Sequence, residues 1–376
     1  MTAAFHFNPP ALADWILGAL VLTSIIICWY HLIRYYGKIK TSKAEPGQLP
    51  PVSIVVAAKN ETENLKKHIP LWLEQQYPQF EIVIADDGST DGTSEWLAPL
   101  AKDNPRLRYV LLDSEYVKMH GKKIALTLGF KAAQYNHFIL TDADCAPSSA
   151  LWLQKMAIPF SQGTDLVIGA APLYKIKGFL GQLVSFESLL ISLQYLGRSL
   201  AGKTYMGVGR NMGYTRKLYD SVSGFSSHHH IPAGDDDLFV QSVTDLAKVS
   251  TVIDEDAYTW SSPKLTFKEY LRQKNRHLWV GKFYQSQWKQ RLAVLPMAEF
   301  VFWTSVIIWF FTTAWWVYPL TALLLKLIPE WIVIGLKSKL LKQGPPIVLY
   351  PFWNFFHTFW YLFIGTKAFF SKKPIW

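Results

Sequence analysis

Cysteine is nearly absent: Cys28 and Cys145 are the only two in 376 residues. Two thiols build no framework of bridges, which excludes a small disulfide-held secreted scaffold and points to a reducing compartment for the soluble part. Charge is also scarce, at 18% of residues against about 25% in an average soluble protein. With half the residues hydrophobic and 15% aromatic, the chain is neither a disordered tail nor a nucleic-acid module living on charge alone, and no nucleic-acid partner is expected. Acid is scarcer than base, 28 against 38, and the resulting +10 suits an anionic substrate or anionic lipid head groups. No internal repeat or low-complexity tract is visible. The Gly-x-Gly-x-x-Gly turn of a dinucleotide-binding domain is missing too. The first strand-like run passes into Lys59-Asn60-Glu61 without a glycine, and Gly207, Gly209 and Gly213 have the wrong spacing.

The apolar excess sits at the two ends. Trp15 to Ile33 is nineteen uncharged residues, about 28 Å of helix against a bilayer core of roughly 30 Å. A cleaved signal peptide fits poorly, because a basic leader and a small-residue cleavage site are lacking. Arg34, Lys38, Lys40 and Lys43 follow at once, and nothing basic of that kind precedes the span. The positive-inside rule therefore places the N-terminus outside and the next segment in the cytoplasm. Near the other end, Phe300–Leu325 and Gln343–Thr366 are uncharged, and Pro319, Lys326, Pro329 and Glu330 interrupt the stretch between them. If that stretch crosses, there are four spans and Lys337, Lys339 and Lys342 are cytoplasmic. If it does not, there are three, and Lys367, Lys372 and Lys373 are cytoplasmic instead.

Between the ends the pattern becomes α/β. Short runs at Val52, Glu81, Tyr109, His137 and Asp165 alternate with amphipathic stretches such as Thr62–Gln75 and Lys123–Ala133. That alternation predicts a mostly parallel sheet with its ligand beyond the C-terminal strand ends. The division expected is an N-terminal transmembrane helix (1–36), a linker (37–51), an α/β domain (52–260), basic interfacial helices (261–294) and two or three C-terminal transmembrane helices (295–370).

Acids gather at the strand ends. Asp86 and Asp87 open ADDGSTDGT, where they serve either as ordinary turn formers or as a carboxylate for a uracil N3–H. Asp142 and Asp144, at i and i+2 of an extended run, face the same side and offer hard oxygen ligands suited to Mg²⁺ or Mn²⁺; an Asx turn is the alternative. Cys145 beside them reads as filler. Asp235, Asp236 and Asp237 stand in a row before an apolar helix, where their mutual repulsion calls for a cation or a proton-transfer role. The adjacent His228, His229 and His230 cannot all reach one metal and are expected as a mobile loop on the substrate side. Gln273 to Trp279 lies in a basic segment that suits lipid head groups, and an arginine there can grip a diphosphate.

In the order and placement of these motifs the chain resembles the inverting family 2 glycosyltransferases. The fold implied is GT-A, with the membrane-bound layout of cellulose-synthase-like and ceramide-glucosyltransferase-like members, over roughly Val52 to Trp279. The resemblance implies that Ala57, Glu61 and Asp87, with Asp86 beside them, hold the nucleoside. It also implies that Lys122 and Arg276 support the diphosphate, that Asp142 and Asp144 hold the metal, and that Asp236 is the catalytic base. Asp235, Asp237, Gln273, His277 and Trp279 fall on the acceptor side, as does the glycine-rich GVGRNMGY. The last motif departs from the usual QxxRW: Arg276 is followed by His277, and the nearest tryptophan is Trp279. The departure counts against processive polymerisation. The resulting expectation is a multi-pass membrane enzyme with a cytoplasmic catalytic domain, in the plasma membrane if bacterial. It would move a sugar from a nucleotide-sugar donor, UDP-linked by expectation, to a lipid or lipid-linked glycan.

Overall fold

The computed structural model describes residues 11–42, 45, 47–112 and 121–371. Lys43, Lys372 and Lys373, used above to orient the chain, lie outside the described residues. In chain order the elements are α1 (Leu12–Arg34), β1 (Val52–Ala58), α2 (Thr62–Leu73), β2 (Phe80–Asp86), α3 (Thr93–Asp103), β3 (Leu107–Leu111), α4 (Lys122–Ala132), β4 (His137–Leu140), β5 (Cys145–Pro147), α5 (Trp152–Ser161) and β6 (Leu166–Gly169). Then come α6 (Gly178–Leu200), β7 (Met212–Thr215), α7 (Arg216–Ser221), α8 (Asp237–Val243), β8 (Val249–Val252), β9 (Thr259–Ser261), α9 (Phe267–Val280), α10 (Ser286–Thr312), α11 (Val317–Leu341) and α12 (Tyr350–Phe370).

Seven strands form one sheet in the order β3-β2-β1-β4-β7-β6-β8, parallel except for β7, which runs against both its neighbours; β5 and β9 form a small separate pair. Both faces are covered, which explains why the strands read as continuous apolar runs. Ile54 and Val56 of β1 point into a core shared with Leu65, Ile69 and Trp72 of α2 and Trp152 of α5. Val55 between them points the other way, toward Leu126 and Phe130 of α4 and Leu183 and Phe186 of α6. At the centre, β7 can approach β4 only because position 213 has no side chain. A Cβ there would lie 2.7 Å from the Phe138 carbonyl oxygen and 2.6 Å from Ile139.

α6 is the element the sequence reading missed. It packs on β6 and β8 and also meets α11, α12 and the turn after α1, so it joins the sheet to the apolar helices. Gly197 lets it touch that turn, since a Cβ there would sit 2.7 Å from the Tyr35 carbonyl oxygen. Among the described residues four helices are long and apolar enough to cross a membrane: Leu12–Lys38, α6, α10 and α11. α6 has 56% of its apolar window buried inside the protein, against 28–33% for the other three, so its apolar surface mostly serves protein packing.

The interrupted C-terminal stretch is one continuous helix, α11. Its charges do not break it, because Lys326 turns inward to Glu330 at 2.8 Å and to Glu299 of α10 at 2.9 Å. The uncharged run from Gln343 gives α12, rich in aromatic residues, which lies along α9.

Candidate active site

The strand-end acids divide into structural and cavity-facing members. Asp86 is fully buried and its oxygens are committed: one accepts from the Ser89 N–H at 2.9 Å and hydroxyl at 2.5 Å, the other from the Tyr109 hydroxyl at 3.0 Å. It builds the turn, and it is not among the residues that line the cavity. Asp87 does reach it, pairing with Lys59 at 3.2 Å and accepting the Gly121 N–H at 3.0–3.1 Å. Ala57 and Glu61 line the same wall. Glu61 accepts from the Asn64 amide at 2.6 Å, and burial lifts its pKa.

Lys122, the first residue of α4, joins two acid clusters that are distant in sequence. Its Nζ lies 2.8 Å from Asp142 and 2.9 Å from Asp235. Burial alone would lower its pKa, but the two carboxylates hold it well above the usual lysine value. Ligand atoms of Asp142, Asp144 and Cys145 all lie within 4.8 Å of one another. Burial, followed by the charges of Asp142 and Asp144, pushes the Cys145 thiol well up, and the two carboxylates are the hard oxygen donors of the group. That set fits Mg²⁺ or Mn²⁺. Lys123 points elsewhere: its ammonium donates to the carbonyls of His228 (2.8 Å) and Ile231 (3.2 Å), and burial lowers its pKa to about 8. The histidine loop expected to be mobile is therefore pinned from beneath. His228 is itself buried, and burial with the Lys123 charge lowers its pKa to about 4.

The three consecutive aspartates have three different environments. Burial opposes ionisation of Asp235, but Lys122 overrides it and lowers the pKa. Asp236 caps α8, accepting from the N–H groups of Asp237 (2.8 Å) and Gly209 (3.1 Å); burial and then the Asp235 charge raise its pKa. Asp237 accepts from the Leu238 N–H at 2.7 Å and the Tyr284 hydroxyl at 2.5 Å, and burial with the Asp236 charge pushes it up to about 7. All three line the cavity, and Asp236 is the least buried of them.

That cavity measures about 1540 Å³ and runs from the strand ends between the sheet and the apolar helices. From α9 it receives Gln273, Arg276 and His277. Trp279 is not part of it. Its ring is buried with Ile231, Leu238 and Val280 and lies 4.9 Å from Phe283. Sequence reasoning also missed Glu187 of α6, which lines the cavity, accepts from the Tyr270 hydroxyl at 2.7 Å and pairs with Lys274 at 2.7 Å. The signal was present: a single acid in a long apolar helix must find a partner when buried.

Residues 53–223 match the profile described as Glycosyl transferase family 2. Poly-beta-1,6-N-acetyl-D-glucosamine synthase of Staphylococcus epidermidis is 30% identical over 35% of this chain and 29% of its own length. Glycosyltransferase AglE of Haloferax volcanii is 30% identical over 32% of this chain and 39% of its own. The chain thus matches about a third of the length of these curated relatives. The structure of mannosyltransferase PcManGT from Pyrobaculum calidifontis, in complex with GDP-Man and Mn²⁺, superposes with a TM-score of 0.55 at 18% identity, covering 88% of this chain and 98% of that one. The shared architecture and the profile match lead to one conclusion: the chain carries a glycosyltransferase family 2 domain of GT-A fold, joined to apolar helices that fit membrane association.

Proposed function

We propose that this protein is a membrane-bound inverting glycosyltransferase that moves a sugar from a nucleotide-sugar, UDP-linked in our reading, to a lipid or lipid-linked glycan. The observation that carries the reading is Lys122, held between Asp142 and Asp235 on the wall of a cavity that reaches the apolar helices. Asp142 and Asp144 would hold a divalent cation, Mg²⁺ or Mn²⁺, which when bound neutralises the leaving diphosphate. Ala57, Glu61 and Asp87 flank the nucleoside. Lys122 and Arg276 present positive charge to the diphosphate as the glycosidic bond breaks. Asp236 takes the proton of the acceptor hydroxyl, its raised pKa suiting it to do so, while that hydroxyl attacks the anomeric carbon from the opposite face. Each oxygen of Asp236 that accepts a backbone N–H keeps a second lone pair for this purpose.

A processive polysaccharide synthase is the second reading, favoured by the poly-N-acetylglucosamine synthases among the relatives. Product length separates the two. The test is to incubate detergent-purified protein with radiolabelled sugar nucleotides, Mn²⁺ and a membrane lipid extract. One label should move into the organic phase, and that transfer should stop in excess EDTA and in Asp142→Asn or Asp144→Asn protein that still folds. Transfer unaffected by EDTA would refute the metal assignment.

A further inference from the structure

We propose that the corner where α1, α6 and α10 meet is a binding site for an anionic phospholipid, separate from the transfer cavity. The inference rests on the membrane placement of these helices and not on the sugar chemistry. α1 and α10 run antiparallel: Trp309 donates to Asp14 at 2.8 Å, and further along the pair Cys28 meets Glu299 at 3.6 Å. Arg34 and Arg291 therefore emerge at the same end, beside Arg198 in the last turn of α6. Arg198 donates to the Arg291 carbonyl at 3.2 Å, and Arg34 to the Ala201 carbonyl at 3.4 Å. None of the three arginines lines the cavity that holds the strand-end acids.

Among the described residues none of the three forms an ion pair with a carboxylate. Their partners are backbone carbonyls, the His31 ring and aromatic faces. Arg198 is buried with its guanidinium 4.6 Å from the centre of the Tyr35 ring, and the exposed Arg291 lies 5.1 Å from that of Trp288. A guanidinium offers five N–H donors, and these contacts leave most of them unused. Three converging cations repel one another, and burying one without an acid is costly. A phosphate offsets both costs, and the arginine fork suits it. The adjoining surface shows what carries that phosphate. Tyr30, one turn before Arg34 on the same face, and Val294, one turn after Arg291, are both exposed. Both lie toward the middle of helices long and apolar enough to cross a membrane, where acyl chains run. Cations at head-group level above an apolar strip suit an anionic lipid and not a free phosphate.

The test titrates full-length protein in detergent with phosphatidylglycerol, with phosphatidylcholine of the same acyl chains, and with glycerol 3-phosphate, counting bound ligand by native mass spectrometry. Phosphatidylglycerol should bind at least about tenfold more tightly than phosphatidylcholine, and glycerol 3-phosphate should not bind at the same concentrations. Arg291→Gln should weaken phosphatidylglycerol about tenfold and leave phosphatidylcholine unchanged. That variant should fold, because Arg198 uses the Arg291 carbonyl and not its side chain. Lys268→Gln combined with Lys367→Gln removes more charge, from exposed positions on α9 and α12, and should change binding less than about twofold. Equal affinity for the two lipids overturns the inference, as does glycerol 3-phosphate binding as tightly as the lipid. Unchanged binding by Arg291→Gln, or an equal loss in the lysine variant, overturns it too. A chain recovered from cells in the soluble fraction without detergent defeats the membrane reading itself, and this inference with it.

Discussion

Asp235, Asp236 and Asp237 occupy one turn yet meet a lysine, two backbone N–H groups and a tyrosine respectively. Asp236→Asn keeps the size and removes the basicity, so turnover should fall by about two to four orders of magnitude while sugar-nucleotide binding survives. Asp235→Asn and Asp237→Asn should cost less, through position and local charge. A dead Asp235 or Asp237 variant beside a near-normal Asp236 variant would move the base to that neighbour. Asp237 carries a separate prediction. Its pKa of about 7 in the folded protein lies above its unfolded value of about 4, so the folded state holds the proton more tightly. The stability this lends is complete below about pH 4 and is lost as pH rises through 7. Melting curves should therefore show wild type losing ground to Asp237→Asn between pH 4 and 7 and running parallel to it above. Parallel behaviour across the whole range would mean that Asp237 titrates normally.

Among the elements, β7 has the least tolerance. Gly213 lies opposite Ile139 in β4 and opposite Val167 in β6, so a side chain there strikes the sheet backbone and not only a flexible tip. Gly213→Ala should destabilise by about 1–3 kcal/mol, visible as a lower Tm, because overpacking forces the neighbouring strand to move. An unchanged Tm would mean that the sheet yields more easily than this spacing implies. β7 also leads back from the loop whose Gly209 N–H holds Asp236, so the same variant should weaken turnover beyond its effect on folding. α6 matters for a different reason. Its Glu187 ties to Tyr270 and Lys274 of α9, coupling the helix beneath the sheet to the helix that carries Arg276.

At the scale of the molecule, the sheet domain and the apolar helices form one packed body. Lys337 of α11 donates to the Ile39 carbonyl at 2.7 Å, and Tyr258 donates to the Leu340 carbonyl at 3.0 Å. The domain therefore sits on the end of the bundle where Arg34 and Lys38 follow α1. If those cations are cytoplasmic, the strand-end site faces the cytoplasm, where sugar nucleotides are made. Protease added outside intact cells should then leave residues 52–289 uncut. Cleavage within that region under those conditions would reverse the orientation.

The strands from β1 to β4 and β6, the helices α2 and α4, and the terminal apolar helices α1, α10 and α11 were legible because each carries its own period or a long apolar run. The acid clusters were legible as motifs. Which acids turn inward was not. Asp86 and Asp87 are adjacent and alike in sequence, and only the Ser89 and Tyr109 partners make one structural while the other faces the cavity. Trp279 shows the same limit, since its burial against Leu238 depends on how α9 meets α8. α6 was hidden because its apolar surface serves the sheet and the bundle together. The meeting of Glu187, Glu299 and Glu330 along one cavity joins residues far apart in the chain. Local propensity and spacing fix elements and motifs, whereas a site assembled across such separations is decided by tertiary packing.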